Sequence, residues 1–235
     1  MAAMRERCGD PDRLSRRDGR HLFLAAETHR EVLRFCKSRD LQTDLVTLSV
    51  EAEDDLELRH SITFNLDISE GRIRLLEHQG VATVEALPLA DSSVDMIICV
   101  GGVINYCDAA RVITEFRRVI RQGGYLLLEF ESSRSAELMS RKAFGKSAAV
   151  AEPYYAHQSE TMWVYSPTYI KNLLRACDFG VVRRAPIHVL SPWAILLTRS
   201  VGLAGMLARL DPIAKTVPVL TRWASNHFLV CRKNI

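Results

Sequence analysis

The amino-acid sequence predicts an α/β fold built on a doubly wound, mostly parallel sheet of seven strands. Short runs of β-branched and apolar residues alternate with amphipathic stretches of about 10–15 residues, which is the pattern of repeated βαβ units. Two of the runs, residues 94–100 and 125–131, are almost continuously apolar. This is expected of strands that helices cover on both faces.

The first third of the chain predicts an arm, a helix and two strands. Residues 1–20 are polar and basic, and we expect a flexible, solvated arm. Residues 21–40 have apolar side chains at spacings of three and four, which predicts a helix. We expect residues 45–50 and 61–67 to form strands. The buried face of the helix is predicted to contain Leu22, Ala25, Ala26, His29, Val32, Leu33 and Cys36.

The middle of the chain predicts two further helices between strands. Residues 68–80 are expected to form a helix that ends at Gly80, and residues 81–89 an extended segment. After the strand at 94–100, residues 108–124 predict an amphipathic helix that begins at Asp108 and ends at Gly123-Gly124. The apolar run 125–131 follows as the fifth strand.

The last part of the chain predicts a helix over 166–180, a strand over 181–190 and a final strand over 226–233. Between these strands lies a helical insertion or cap, residues 191–225, where a short connection would suffice. Such an insertion often forms a lid, a substrate wall or a partner surface. Its apolar residues and spaced arginines also suit shallow contact with a membrane or a lipid-like substrate. We expect residues 1–235 to form one domain.

Composition limits the possible partners and the compartment. The net charge is only +3, and no basic stretch is interleaved with aromatic residues, so we expect no nucleic-acid partner. The six cysteines form no pattern with zinc-ligand spacing, so we expect no metal site. Several cysteines lie within apolar runs, where cysteine acts as a small hydrophobic residue, and the N-terminus has no apolar leader; both observations favour the cytoplasm. No stretch is apolar enough to predict a membrane span.

Two glycines, Gly101 and Gly102, directly follow the buried strand at residues 94–100. In doubly wound sheets, ligands bind beyond the carboxyl ends of the strands. Glycine at such a position allows a tight turn or the close approach of a ligand. The sequence by itself leaves both readings open.

Three stretches carry a recognisable pattern: LDIS at 66–69, VEALPLADSSVDMIICVGGVINYCD at 84–108 and EFRRVIRQGGYLLLEFE at 115–131. Together they resemble the class I S-adenosylmethionine-dependent methyltransferases, in particular the "type 11" small-molecule group with its Rossmann-like fold. The resemblance implies S-adenosylmethionine as cofactor and methyl transfer to a small-molecule acceptor. It implies a cofactor site formed by Ser49, Asp67, Ile68, Thr83, Val84, Val100, Gly101 and Gly102.

The same resemblance places Asn105 and Tyr106 towards the methyl group or the substrate. His157, in a polar and aromatic segment, is the best general-base candidate if the acceptor is a hydroxyl. Glu129 and Glu131 lie near the end of the fifth strand and are further candidates. We therefore expect His157 and Tyr106 to be the catalytic residues.

The glycine-rich loop that follows the family's first strand is degenerate. The corresponding positions read Ser49, Glu51 and Glu53, so side chains would crowd the space that the cofactor needs. Three explanations remain open: an enzyme with an unusual loop, a relative that has lost the cofactor and acts as a binding or regulatory partner, or an atypical N-terminal third. A nicotinamide-dependent dehydrogenase fits less well, because it too needs glycines after the first strand.

Overall fold

The structure is a computed structural model, and part of the chain is described in it. The described residues are 19–38, 47–50, 64–67, 72–75, 81–82, 84–151, 162–198, 206–207 and 210–234.

A mixed sheet forms the centre of the molecule, with the strand order β1-β5-β6-β10-β9. β1, β5 and β6 are mutually parallel, and β10 runs antiparallel to both β6 and β9. The α/β prediction is therefore confirmed, whereas one sheet of seven strands is not, because the central sheet has five strands among the described residues. Its strands are β1 (Thr47–Val50), β5 (Val94–Cys99), β6 (Ile120–Glu131), β9 (Phe179–Ile187) and β10 (Asn226–Lys233).

The remaining described strands form two small antiparallel sheets. One has the order β2-β3-β4, and the other pairs β7 with β8. The helix predicted over 68–80 is wrong for its central part, because residues 72–75 pair with β2 as a strand. The alternation Arg-Ile-Arg-Leu has the period of two that suits a strand. The strands are β2 (Phe64–Asp67), β3 (Arg72–Leu75), β4 (Val81–Ala82), β7 (Ala148–Ala151) and β8 (Met162–Tyr165).

Three longer helices accompany the sheet: α1 (Gly19–Ser38), α2 (Ala109–Val119) and α3 (Pro167–Ala176). α1 confirms the N-terminal helix within two residues at each end, and residues 1–18 of the predicted arm lie outside the described residues. The Asp108 side chain accepts a hydrogen bond from the Ala110 amide at 3.0 Å and so caps α2, as predicted.

The end of α2 differs from the prediction. The helix stops at Val119 and passes directly into β6, so Gly123 and Gly124 lie inside a strand rather than after a helix. A Cβ atom at Gly124 would lie only 2.7 Å from the Asp95 carbonyl oxygen on β5. The second glycine is therefore needed for close strand packing and not for ending the helix.

The core lies on both faces of the sheet, as the continuous apolar strands predicted. Side chains of β5 alternate, so that Ile97 and Cys99 pack in the cluster formed with α2 and α3, while Met96 and Ile98 pack in the cluster that includes α1. This is the doubly wound arrangement. It leaves the two edges of the sheet, where strands begin and end, as the places for polar groups.

The buried face of α1 agrees only in part with the apolar spacing. Val32 is fully buried, as predicted, but Glu27, Thr28, Glu31 and Phe35 are buried as well. Leu33 and Cys36 of the predicted face are half-buried, and its other side chains lie outside the described residues: Leu22, Ala25, Ala26 and His29. Polar residues that follow a spacing of three and four with Val32 and Phe35 were therefore the overlooked signal.

The Leu-Pro-x-x-Asp motif, residues 87–91, precedes the amino end of β5 and is held there by hydrogen bonds from Arg118 of α2. The Arg118 guanidinium donates to the carbonyl oxygens of Leu87 at 3.0 Å and Leu89 at 2.7 Å, and to the carboxylates of Asp91 and Glu115, both at 2.6 Å. Glu115 also accepts from the Leu87 amide at 2.7 Å. These bonds raise the pKa of Arg118 and lower that of Glu115, chiefly through their mutual hydrogen bond. The motif thus fixes the loop that feeds β5.

The insertion consists of short helical pieces where it is described. α4 (Ser191–Thr198) and α5 (Asp211–Ala214) are followed by a 3-10 turn, Leu220–Trp223. Among the described residues, no helix is both long and apolar enough to cross a bilayer. Many large apolar side chains in and around these pieces are exposed: Leu197, Met206, Leu210, Ile213, Val217 and Val219.

Candidate functional site

The carboxyl ends of four strands meet at one edge of the central sheet. β1, β5 and β6 are parallel, and β9 runs in the same direction because both β6 and β9 pair antiparallel with β10. This carboxyl edge is where doubly wound folds bind their ligands. The polar residues gathered there define the candidate site.

A glycine turn ends β5 at this edge. Gly101 and Gly102 have φ values of 71° and 75°, in the left-handed region that favours glycine. The turn leads into a 3-10 helix, Val103–Tyr106, and the Asn105 amide closes it on the Gly102 carbonyl oxygen at 2.8 Å. Gly101 is exposed and Gly102 is buried. The two glycines are therefore required by backbone geometry, and an exposed backbone remains where a ligand could approach.

Glu129 of β6 lies directly behind this turn. Its carboxylate accepts a hydrogen bond from the Gly101 amide at 3.0 Å and one from the Asn226 side chain at 3.2 Å. The residue is only 1% exposed. Burial raises the pKa of Glu129 to about 7; hydrogen bonding from Gly101, Thr28 and Asn226 opposes this shift, and the charge of Glu27 adds to it. A buried carboxyl group that changes charge near neutral pH is typical of functional sites.

Asn105 does not face an open pocket. It is fully buried, and its side-chain amide donates to the Trp163 carbonyl oxygen at 2.6 Å while its side-chain oxygen accepts from the Glu131 amide at 3.0 Å. Asn105 therefore ties the end of β6 to β8, and its predicted orientation towards a substrate is wrong. The neighbouring Tyr106 is half-buried, and its catalytic role stays a prediction.

Aromatic side chains line the region next to this tie. The rings of Trp163, Tyr165 and Tyr169 stack in sequence, with centroid distances of 6.4 Å and 5.9 Å. The Tyr165 hydroxyl donates to the Cys107 carbonyl oxygen at 2.9 Å, and burial raises the pKa of this phenol. These rings pack against one another and the main chain, as expected of structural aromatics. His157 lies outside the described residues.

The predicted cofactor residues are only partly described. Ser49 pairs with Ile98 at the end of β1, and Asp67 is the last residue of β2, but only their backbone is described. Ile68 and Thr83 lie outside the described residues. Val84 and Val100 are buried in the two core clusters. Their roles, and those of the glycines, stay predictions.

The second glycine of the turn has open space around it. At Gly102, a Cβ atom would meet only the Asn105 side-chain oxygen at 3.8 Å, so the turn is not crowded by its neighbours. Asp67, at the end of its strand, has the residue type that binds ribose hydroxyls as an acceptor of two hydrogen bonds. The residues present are therefore compatible with a nucleoside cofactor.

Several polar residues at the carboxyl edge were missed by sequence reasoning. Glu27 and Thr28 reach the edge from α1, and Asn226 reaches it from the first position of β10. His188 directly follows β9, and Asp211 lies in the insertion. No short motif contains these residues, and their buried positions depend on how distant segments pack.

Comparisons with known proteins agree on one fold and one domain type. Residues 50–128 match the family model described as "Methyltransferase domain". The ubiquinone/menaquinone biosynthesis C-methyltransferase UbiE of Acidiphilium cryptum is 42% identical over 74 residues. That match spans 31% of this chain and 29% of the relative's length.

Solved structures support the same fold. An S-adenosylmethionine-dependent methyltransferase from Mesorhizobium loti has a TM-score of 0.51 at 13% identity, covering 80% of this chain and 90% of the other. The cyclase SpnF has a TM-score of 0.50 at 15% identity, covering 85% and 80%. Since one of these similar structures is named as a cyclase, the fold alone does not determine the reaction.

Proposed function

We propose that this chain, whose residues 50–128 match the methyltransferase domain, transfers a methyl group from S-adenosylmethionine to a small-molecule acceptor at the carboxyl edge. The observation that supports this most directly is the match of residues 50–128 to the methyltransferase domain. That stretch contains β5 and the glycine turn, with Glu129 immediately after it. We also infer a cytoplasmic setting, consistent with the described cysteines, which form no disulfide.

The proposed cofactor site lies along β1, β2 and β5. Asp67 would accept hydrogen bonds from the ribose hydroxyls, Thr83 and Val84 would lie along the adenine, and Val100 to Gly102 beside the methionine part. Ser49 and Ile68 would complete the site. The bound cofactor supplies an electrophilic methyl group on a sulfonium, and the protein's task is to align the acceptor with that methyl group.

Glu129 is a positioning residue in this proposal. Its carboxylate holds the Gly101 amide at 3.0 Å and thereby fixes the exposed end of the glycine turn. Asn226 holds the other carboxylate oxygen at 3.2 Å, so the side chain is fixed from two strands. Tyr106 would contact the acceptor from the 3-10 helix. His157 would accept the proton if the acceptor is a hydroxyl.

An apolar acceptor, presented from a membrane surface, suits the insertion. Leu197 is 78% exposed, and Met206, Ile213 and Val219 are between 62% and 69% exposed. Exposed apolar side chains of this size are found at interaction sites, and the arginines of residues 191–225 would favour an anionic surface. The relative from Acidiphilium cryptum is named for ubiquinone and menaquinone biosynthesis, and its name is consistent with an apolar acceptor here.

Calorimetric titration with S-adenosylmethionine and with its demethylated product tests the cofactor proposal. We expect micromolar binding that Asp67→Ala abolishes, because the ribose loses its acceptor. Asp178→Asn is the matched control: it changes an exposed aspartate that pairs with Arg117, and binding should stay unchanged. No binding by the folded wild-type protein at millimolar ligand would overturn the enzyme proposal and favour a non-catalytic binding partner.

Sedimentation with vesicles tests the membrane proposal. Vesicles of phosphatidylcholine with phosphatidylserine should retain the wild-type protein, and the double change Leu197→Ser and Ile213→Ser should release it. Val182→Ser, which alters an exposed apolar residue on the edge strand β9, is the control. Equal retention of all three proteins would contradict a specific role for the insertion.

A further inference from the structure

Three potential metal ligands from distant segments meet next to the candidate site. Glu27 comes from α1, His188 follows β9, and Asp211 belongs to α5 of the insertion. Each offers one ligand atom, and these atoms all lie within 4.8 Å of one another. All three residues are buried, with exposures of 8%, 2% and 1% respectively. The fold alone creates this cluster, because the residues are far apart in the sequence.

Supporting hydrogen bonds hold two of the three side chains in place. The Asp211 carboxylate accepts from the Val189 amide at 3.0 Å and from the Leu190 amide at 2.9 Å, so it is fixed against the chain next to His188. Nδ1 of His188 lies 3.1 Å from the Ser191 hydroxyl. In the tautomer that donates from Nδ1, the second ring nitrogen has the lone pair that a metal requires. Metal-binding histidines are commonly oriented by such a second bond.

The cluster contains more negative than positive charge. The Lys215 ammonium contacts one carboxylate oxygen of Glu27, and Asp211 is the second acid. Two buried carboxylates beside one ammonium leave charge that a divalent cation would balance.

One oxygen of this cluster provides a separate indication of a ligand. Oε2 of Glu27 is buried, and among the described residues it has no hydrogen-bond partner. The Glu27 side chain is only 10% exposed. A buried carboxylate oxygen without a partner is costly, and protein structures normally give it a donor or a cation.

We propose that Glu27, His188 and Asp211 bind a first-row divalent metal ion, with Zn²⁺ or Mn²⁺ as the fitting chemistry, and that the Lys215 ammonium is the competing cation. One imidazole nitrogen with two carboxylate oxygens is a ligand set that these ions accept. Bonds of about 2.1 Å would require ligand atoms about 3.3 Å apart, so the side chains move closer together on binding.

The metal would have a structural effect that is independent of methyl transfer. It would join α1, the end of β9 and the insertion at a single point. Lys215, whose side chain is 21% exposed, can turn towards solvent when the metal displaces it. The site would thus fix the helix and the insertion over the carboxyl edge of the sheet.

Titration of the chelator-treated full chain with ZnCl₂ and with MnCl₂ tests this proposal. Calorimetry should give saturable binding of one ion per chain, with a higher melting temperature, because the ion binds only the folded state. Glu27→Gln and Asp211→Asn should each weaken binding by at least about tenfold, since even supporting residues of metal sites have effects of that size. Asp95→Asn is the matched control: it is a buried acid paired with Arg121 at the opposite edge of the sheet.

Lys215→Met provides a test that keeps all three ligands. It removes the competing ammonium, so metal affinity should rise several-fold above the wild-type value. The proposal is overturned if neither the wild type nor Lys215→Met binds either ion saturably, or if Glu27→Gln and Asp211→Asn both bind as tightly as the wild type. Because the readouts are metal binding and melting temperature, they are independent of whether the protein transfers methyl groups.

Discussion

At the amino edge of the central sheet, Arg118 and Glu115 engage the carbonyl oxygens and the amide of the loop before β5. At the carboxyl edge, Glu129 is 1% exposed and has a pKa raised to about 7 by burial. The amino edge therefore uses paired charges to position the chain. At the carboxyl edge, burial makes the charge of Glu129 sensitive to pH near neutrality.

The recognisable sequence motifs and the acids with raised pKa values lie at opposite edges of the sheet. The Leu-Pro-x-x-Asp run and the Glu-x-x-Arg of α2 carry the resemblance to the methyltransferases, yet the contacts of these residues are architectural. Of the acids with raised pKa values, Glu129 lies later in the same stretch, near the end of β6, and Asp211 lies outside all three matching stretches. A motif can thus report how a sheet is assembled while the chemical groups lie at its other edge.

The largest expected effect on the free energy of unfolding comes from Arg118, at the amino edge of the sheet. Arg118→Ala should lower the free energy of unfolding by about 3 kcal/mol, because two carbonyl oxygens and two carboxylates lose a charged donor whose side chain is one-third exposed. Urea denaturation measures this change. Arg118→Lys should recover only part of the loss, since an ammonium cannot reproduce the planar fork. Full recovery by lysine would mean that charge alone matters at this position.

The next effect is the pH dependence of Glu129. Its pKa is raised in the folded state, so stability is fully present below the unfolded pKa and declines as pH rises towards about 7. From pH 5 to pH 7, this decline is roughly 2 kcal/mol for a shift of this size. Urea midpoints at several pH values should show Glu129→Gln without this decline. A wild type and a variant with parallel pH profiles would contradict the raised pKa.

His227 acts in the opposite direction at the same edge. Burial lowers the pKa of His227 to about 3, with Arg184 and Lys171 contributing. Its contribution to stability is therefore present above the unfolded pKa and is lost as pH falls towards 3. His227→Phe should reduce the loss of stability below pH 6 in the same urea series, while leaving the decline due to Glu129. The two variants together separate the opposing contributions.

The smallest expected effect is at a surface ion pair between α2 and the turn before β9. Nη2 of Arg117 lies 2.6 Å from Oδ2 of Asp178, but the two side chains are 48% and 55% exposed. Asp178→Asn should change the free energy of unfolding by about 0.5 kcal/mol, because water and salt screen such pairs. If Asp178→Asn lowered the free energy of unfolding as much as Arg118→Ala, the surface ion pair would be as important for stability as the hydrogen bonds of Arg118.

Local pattern was sufficient for much of the fold. Continuous apolar runs predicted β5 and β6 as strands covered on both faces, and Asp108 was identified as the cap of α2. The pattern was misleading at residues 72–75, which fit both a helical period and a strand period and form a strand. It was also misleading at Gly124, which allows close strand packing and does not end a helix. For the site, the sequence predicted the Gly101-Gly102 turn, and it named Glu129 as a candidate whose role stays a prediction. It misassigned Asn105, whose side chain bonds the main chain.

The sequence by itself determined the α/β class, the order of its main elements and the resemblance to one family, because these depend on residue patterns that are close together in the chain. Only the tertiary structure brought the potential ligand atoms of Glu27, His188 and Asp211 within 4.8 Å of one another. It also buried the Glu129 carboxylate against the Gly101 amide. Such groupings depend on how helices and strands pack across long separations. Burial and neighbouring charge, which set the pKa of these acids, exist only once that packing has formed.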